Sequence, residues 1–301
     1  MPFHWSLNPF VGCAHRCTFC YVRAFEARAD RPSDDRYGRS IRVKVNVAEV
    51  LGRELARRSW KRELVAVGTA TDPYQPAEGR YRLTRACIGR LAEARTPLHL
   101  ITRGPMIVRD IDVLTEAAQR AGASITFSVP TLDPEVWRRT EPGTAPPQQR
   151  LRALSTLVEA GLDVGVGMAP LLPGISDSPE SMTAVVRAAR EAGATGIWAN
   201  LLYLRPGTRE HFLENLARDW PGLLPSYERL YARRAYLGKR ELDAVRRRVS
   251  ELRDRYDLRD RRTVRLEAER ADADDGPIQL ELPLAPGVAP EGIAPPGWRA
   301  A

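Results

Sequence analysis

GCAHRCTFCY, residues 12–21, sets three cysteines, Cys13, Cys17 and Cys20, within eight positions of a 301-residue chain that has only one other, Cys87. Four cysteines are too few for a disulfide scaffold at this length, and clustered cysteines in a reducing compartment more often bind metal. Thiolates are soft ligands that suit zinc or iron–sulfur clusters. A structural zinc site is closed by four protein donors, so His15 or His4 would have to complete it, and no second cysteine pair exists. Three thiolates on a cubane of four irons leave one iron without a protein ligand, and an open position is what a reactive metal site needs.

On either side of this loop the chain alternates short apolar runs with amphipathic segments, the pattern of parallel strands joined by crossover helices. The strand candidates are 63–71 (ELVAVGTAT), 97–104 (PLHLITRG), 123–131 (ASITFSVPT), 163–171 (DVGVGMAPL) and 196–203 (GIWANLLY). The helical candidates are 46–58, 83–94, 109–121, 147–160 and 178–192. Pro147 and Pro179 fall where a first helical turn tolerates proline, and Gly122, Gly161 and Gly193 follow helices where a left-handed cap wants glycine. With a short strand ahead of the cysteine loop this makes about six βα units, fewer than the eight of a closed barrel. Residues 206–270 read as a C-terminal helical extension, with Leu242, Val245, Val249 and Leu252 at helical spacing. Residues 271–301 are rich in proline and alanine and read as a disordered tail, apart from a candidate short strand at IQLEL.

The balance of 46 Lys plus Arg against 38 Asp plus Glu gives a net charge of +8, which invites a nucleic-acid partner. Only Lys44, Lys61 and Lys239 are lysines, so arginine supplies nearly all of it, as a GC-rich coding sequence would unaided. Residues 228–270 hold 15 basic against 9 acidic side chains; a solvated helix face and a phosphate track both account for that surplus. No stretch approaches the roughly 18 apolar residues of a membrane span, and MPFHWSLNPF lacks the features of a signal peptide. The expected setting is the cytoplasm, with no membrane partner.

CxxxCxxC followed by Tyr21, after a first strand and ahead of a series of βα units, resembles the radical S-adenosylmethionine (SAM) superfamily. That resemblance implies a [4Fe-4S] cluster on Cys13, Cys17 and Cys20, SAM bound at the open iron and cleaved reductively, and hydrogen abstraction from a substrate. It also implies an α/β fold, a partial (β/α)6 TIM-like barrel over residues 1–205 with the site at the strand C-terminal ends. An external one-electron donor such as flavodoxin or ferredoxin is implied as well. Over residues 8–205 the chain is further similar to the spore photoproduct lyase-like branch, whose founding enzyme reverses a thymine dimer photoproduct in DNA.

Within that branch, GTATDPYQPAE (68–78) resembles the second-strand segment that lies against SAM, which makes Thr71 and Asp72 candidates for its amino or ribose groups. A plain turn at Asp72-Pro73 is the structural alternative. LITRG (100–104) resembles a strand ending in Thr-Lys, so Arg103 would neutralise the SAM carboxylate in place of a lysine. TFSVPT and RTEPGTAP match in order and distance, with Ser128 the expected contact and EPGTAP read as shaping a turn; GVGMAP puts Ala169, like the backbone of Tyr21, beside the adenine.

The likeness breaks in two places. The branch's hydrogen-donor cysteine before Asp-Pro is replaced by the run Thr69-Ala70-Thr71, and a relay tyrosine falls at Phe19, so the photoproduct chemistry itself is not expected. Cys87 reads as a buried small hydrophobe rather than a hydrogen donor. Asn200, Tyr203 and Arg205 follow the sixth strand, where substrate would be met; Cys87 and Tyr203 are the weak catalytic candidates. The six tryptophans show no stacking spacing, and His99 and His211 read as packing histidines. The expected function is a radical SAM enzyme acting on an unidentified substrate, with nucleic acid first and a peptide or small metabolite second. The rival from another class is a non-catalytic, zinc-stapled nucleic-acid-binding protein.

Overall fold

In the central parallel strands the β-branched and apolar runs are buried on both faces, as the sequence pattern requires, whereas Trp5 and Ser6 at the sheet edge are exposed. Six carry the architecture: β1 (Trp5–Leu7), β4 (Val65–Val67), β5 (Leu98–Thr102), β6 (Ala123–Ser128), β7 (Asp163–Leu171) and β8 (Gly196–Leu201). A two-residue β9 (Arg259–Asp260) adds to the far edge, and β2 (Phe10–Val11) pairs antiparallel with β3 (Arg42–Val43) outside the main sheet. A computed structural model describes residues 3–28 and 31–261.

The sheet order β1-β4-β5-β6-β7-β8-β9 follows the chain without reversal, and every pairing in it is parallel. Right-handed crossovers in one direction put all connecting helices on one face, so the sheet curls toward a barrel rather than being wound on both sides. The result is a partial TIM-like barrel.

The helices are α1 (Arg23–Arg28), α2 (Val47–Leu55), α3 (Pro76–Tyr81), α4 (Leu83–Glu93), α5 (Ile111–Ala121), α6 (Pro134–Thr140), α7 (Pro147–Glu159), α8 (Pro179–Glu191), α9 (Arg209–Asp219), α10 (Leu224–Tyr231) and α11 (Lys239–Tyr256). Pro147 and Pro179 open α7 and α8, and the Ser178 hydroxyl accepts the Ser181 amide at 3.1 Å as an N-cap. Gly122, Gly161 and Gly193 all have positive φ, at 88°, 83° and 87°. Val249 and Leu252 of α11 enter the same apolar core as Val164, Val166 and Ile197 of the sheet.

Several elements depart from the sequence reading. The short helices α3 and α6 were not expected, because six or seven residues are too few to display an apolar period. Residues 105–110, of which 109 and 110 fall in the helical candidate 109–121, form a 3-10 turn before α5. Strand β9 lies in a charged segment read as helical; the buried Arg261 holds it there, donating to the Ile125 carbonyl at 2.8 Å and pairing with Asp163. Side-chain room for that arginine comes from Gly165, where a Cβ would meet its Nε at 2.6 Å. The expected tail at 271–301 and the end of the helical extension at 262–270 lie outside the described residues. Among the described residues no helix is long and apolar enough to cross a membrane.

Candidate functional site

Parallel strands place their following loops at one end, and the segments singled out in the sequence meet there. The cysteine loop follows β2, the Thr69–Asp72 segment follows β4, Arg103 follows β5, Ser128 ends β6, Ala169 lies near the end of β7, and Tyr203 follows β8.

Cys13, Cys17, Cys20, Tyr21, Thr71, Asp72 and Arg103 line one recess of about 80 Å³. That is well below the roughly 300 Å³ of a small-molecule site, so the recess itself suits a compact inorganic group and not a nucleoside. Ser128, Ala169 and Tyr203 are not among its lining residues, although the Ala169 carbonyl accepts from Arg103 Nη2 at 3.1 Å.

The loop is held from three sides by residues to which the sequence assigned no such role. Fully buried Gln75 accepts the Ala14 amide at 2.9 Å and donates to the Gly12 carbonyl at 3.2 Å. Asn8 accepts the Ala70 amide at 2.8 Å and the Thr71 amide at 3.2 Å, tying the loop's approach to the β4 segment. From the other side the Thr18 amide donates to the Thr140 carbonyl at 2.9 Å and the Gly143 amide to the His15 carbonyl at 3.0 Å. A Cβ on Gly143 would stand 2.3 Å from the Ala14 carbonyl, so the EPGTAP turn packs directly onto the cysteine loop.

Asp72 is nearly saturated within the protein. Its Oδ1 accepts from the Thr102 hydroxyl at 2.7 Å and the Tyr74 amide at 2.9 Å, and Oδ2 accepts the Arg103 amide at 2.6 Å and faces His15 Nδ1 at 3.4 Å. Burial would push the carboxyl up, but His15 and these hydrogen bonds outweigh it and hold it at about 2. On the partner, burial opposes the charge while Asp72 raises His15 to about 10. Thr71 is buried, its hydroxyl 3.4 Å from the Phe10 carbonyl.

Arg103 is likewise gripped. Its Nε donates to Glu141 at 2.6 Å, its guanidinium lies 5.7 Å from the Phe19 ring centre, and among the described residues no acceptor takes Nη1. Glu141 is fully buried and also meets Arg150 at 3.1 Å, whose Nη1 donates to the Ser128 carbonyl at 2.8 Å. Burial would push the Glu141 carboxyl up, but the two arginines hold it below its ordinary value. EPGTAP therefore does more than shape a turn: it carries the carboxylate that orients Arg103. A lone glutamate between Thr140 and Pro142 gave no sequence signal of that.

Burial pushes the Cys17 thiol well up, with Arg103 opposing, and pushes Cys20 up, with the hydrogen bond from Tyr37 opposing. Buried thiolates need compensating positive charge, which a metal supplies, so the donor set fits an iron–sulfur cluster. A single zinc ion fits less well. It asks for four donors about 2.0–2.3 Å from one point, whereas among the described residues no three His, Cys, Asp or Glu side chains are arranged to hold one metal ion. His15 is turned to Asp72, and His4 is exposed beside Glu63, 3.7 Å away.

The weaker candidates separate. Cys87 is fully buried in α4, its thiol pushed up to about 12 by burial, with Glu78 adding to it, and it stands apart from the recess. The Tyr203 ring lies 4.2 Å from that of Tyr236, with Arg205 5.7 Å from its centre. Tyr21 donates its hydroxyl to the Thr69 carbonyl, and burial pushes it up to about 12. A larger cavity of about 360 Å³, lined by Asp177, Met182, Leu201, Glu241 and Arg248, touches none of the sequence-predicted site residues.

Residues 7–185 match the family model of the radical SAM superfamily. Uncharacterized proteins of Mycobacterium bovis and Mycobacterium tuberculosis are each 42% identical over 258 residues, covering 86% of this chain and 76% of theirs. Among solved structures, a spore photoproduct lyase variant with bound AdoMet and dinucleoside spore photoproduct aligns with a TM-score of 0.64 at 12% identity, covering 84% of this chain and 74% of its own. Streptococcus suis SuiB bound to precursor peptide SuiA aligns at 0.51 and 17% identity, over 79% of this chain and 48% of its own.

Proposed function

The chain belongs to the radical SAM superfamily, and from that premise we propose that it is an enzyme whose Cys13, Cys17 and Cys20 hold a [4Fe-4S] cluster beside bound SAM. The observation that carries this reading is one recess lined by the three cysteines and by Arg103. When bound, the cluster and SAM supply reductive cleavage of SAM and hydrogen-atom abstraction from the substrate. The chain's own residues orient and shield. Arg103, steadied by Glu141, meets the SAM carboxylate with Nη1, which no described residue takes. Thr71 and Ser128 line the approach with hydroxyls, and Tyr21 and Ala169 contribute backbone groups at the adenine edge. Asp72, its oxygens already engaged, acts by positioning His15, Thr102 and Arg103. An external one-electron donor such as flavodoxin or ferredoxin supplies the electron.

For the substrate we favour nucleic acid. The supporting observation is the Tyr203 ring after β8 against that of Tyr236 from the connection between α10 and α11, with Tyr236 57% exposed and Arg205 alongside Tyr203, since aromatics with arginine suit bases. The spore photoproduct lyase relative carries a dinucleoside, and SuiB a precursor peptide, which keeps a peptide as the second reading. Binding to a single-stranded oligonucleotide should weaken steeply with salt; no affinity, or affinity indifferent to salt, removes nucleic acid.

The deciding experiment is anaerobic reconstitution with iron, sulfide, dithionite and SAM. A brown protein with about four irons that forms 5′-deoxyadenosine is expected. A colourless protein with one zinc sinks the enzyme reading and leaves the zinc-stapled rival.

A further inference from the structure

Tyr37 lies in the segment after α1, 2% exposed, with its hydroxyl 3.6 Å from the Cys20 sulfur. Its ring is clamped by Arg23, whose guanidinium carbon stands 4.6 Å from the ring centre. That guanidinium is itself fixed by four carbonyls, those of Ser33 and Asp34 at 2.7 Å each, Arg16 at 3.3 Å and Cys17 at 3.4 Å. The next residue, Gly38, has φ +75° and lies so close to the cysteine loop that a Cβ would be 2.2 Å from the Cys13 carbonyl. Tyr37 is thus locked against the loop from both sides, and the arrangement joins a segment distant from the motif to one particular sulfur.

With Cys20 as a free thiol, either atom can donate. A metal-bound cysteine sulfur has lost its proton and can only accept, so across the 3.6 Å contact the tyrosine hydroxyl, which ordinarily keeps its proton up to about pH 10, is the donor. We propose that Tyr37 donates a hydrogen bond to Cys20 and thereby raises the reduction potential of the cluster that Cys20 holds. The inference rests on the reading of Cys20 as a cluster ligand. One-electron reduction adds negative charge that the sulfurs share, and a donor to a sulfur stabilises the reduced form more than the oxidised one. The electron comes from the external donor, no covalent bond changes, and the proton stays on the tyrosine oxygen. Arg23 is the positioning residue that holds the donor in place.

The test is an EPR-monitored redox titration of the reconstituted full-length protein, as wild type, as Tyr37→Phe and with 3-fluorotyrosine at position 37. With iron and sulfide content unchanged, Tyr37→Phe should lower the reduction equilibrium constant about tenfold, a midpoint about 59 mV more negative for one electron. Fluorotyrosine, a stronger donor of similar size, should move the midpoint the other way; a residue that merely packs would not do so. Unchanged midpoints in both variants overturn the proposal. Should Tyr37→Phe fail to assemble a cluster, the fluorotyrosine protein decides alone: a positive shift supports, no shift refutes. A wild-type protein that takes up no iron is a different failure, since it removes the cluster reading itself and this inference with it.

Discussion

Glu141 is the residue on which the site's electrostatics turn. Enclosed with Arg150 and reaching Arg103, it is a buried charge whose removal leaves two cations without their shared partner. Glu141→Ala should destabilise the fold by about 3–5 kcal/mol in urea unfolding. Glu141→Gln, which keeps the shape, should cost less stability but weaken SAM binding about tenfold or more, read by equilibrium dialysis on the reconstituted protein; affinity equal to wild type would show that Arg103 needs no steering. Histidines give a separate handle. Burial, with Arg261 nearby, lowers His99 to about 4, and burial, with Arg23 nearby, lowers His211 to about 4. Below the unfolded value near 6.5, the unfolded chain binds protons that the folded chain refuses. The stability these two histidines hold is therefore full above about pH 6.5 and should fall from there toward pH 4.5, with a slope on the order of 1 kcal/mol per pH unit. Urea midpoints at pH 7 and pH 5 check this, and His99→Gln should flatten the slope. None of these partners was legible in the sequence: Arg103 was recognised because it ends a matched strand, but its counter-ion sits 38 residues away.

Elements, rather than single side chains, hold the cysteine loop. The short helix α6 and the turn after it press on the loop through Thr140 and Gly143, while α3 begins just after Gln75, which grips it from below the β4 segment. Gly143→Ala puts a carbon against backbone that cannot swing aside, at 2.3 Å from the Ala14 carbonyl. The expected result is a folded barrel with reduced iron uptake, read as iron per chain beside an unchanged far-ultraviolet circular dichroism spectrum. Full iron loading in the variant would show that the turn is not a wall of the loop. Both helices escaped the sequence reading for one reason, being too short to show a period, whereas the long crossover helices α7 and α8 announced themselves by period, opening proline and closing glycine.

At the scale of the whole molecule, the apolar core runs through the curved sheet and its helices, and Cys17 is one small side chain among the many that build it. Cys17→Ala should therefore abolish iron binding yet keep the thermal midpoint within a few degrees, by an estimate of about 1 kcal/mol for losing one small buried side chain; loss of the folded transition would instead mark a metal-stapled domain. The sequence by itself determined the strand–helix alternation and the three thiols, because periodicity, glycine and proline placement and ligand spacing are local properties of the chain. Only the tertiary structure decided which charges face each other: Glu141 with Arg103, Asp72 with His15, Arg261 across three strands, Tyr37 against Cys20. Those pairings join residues far apart in sequence, and a buried charge or donor finds its partner through packing geometry, which no local pattern encodes.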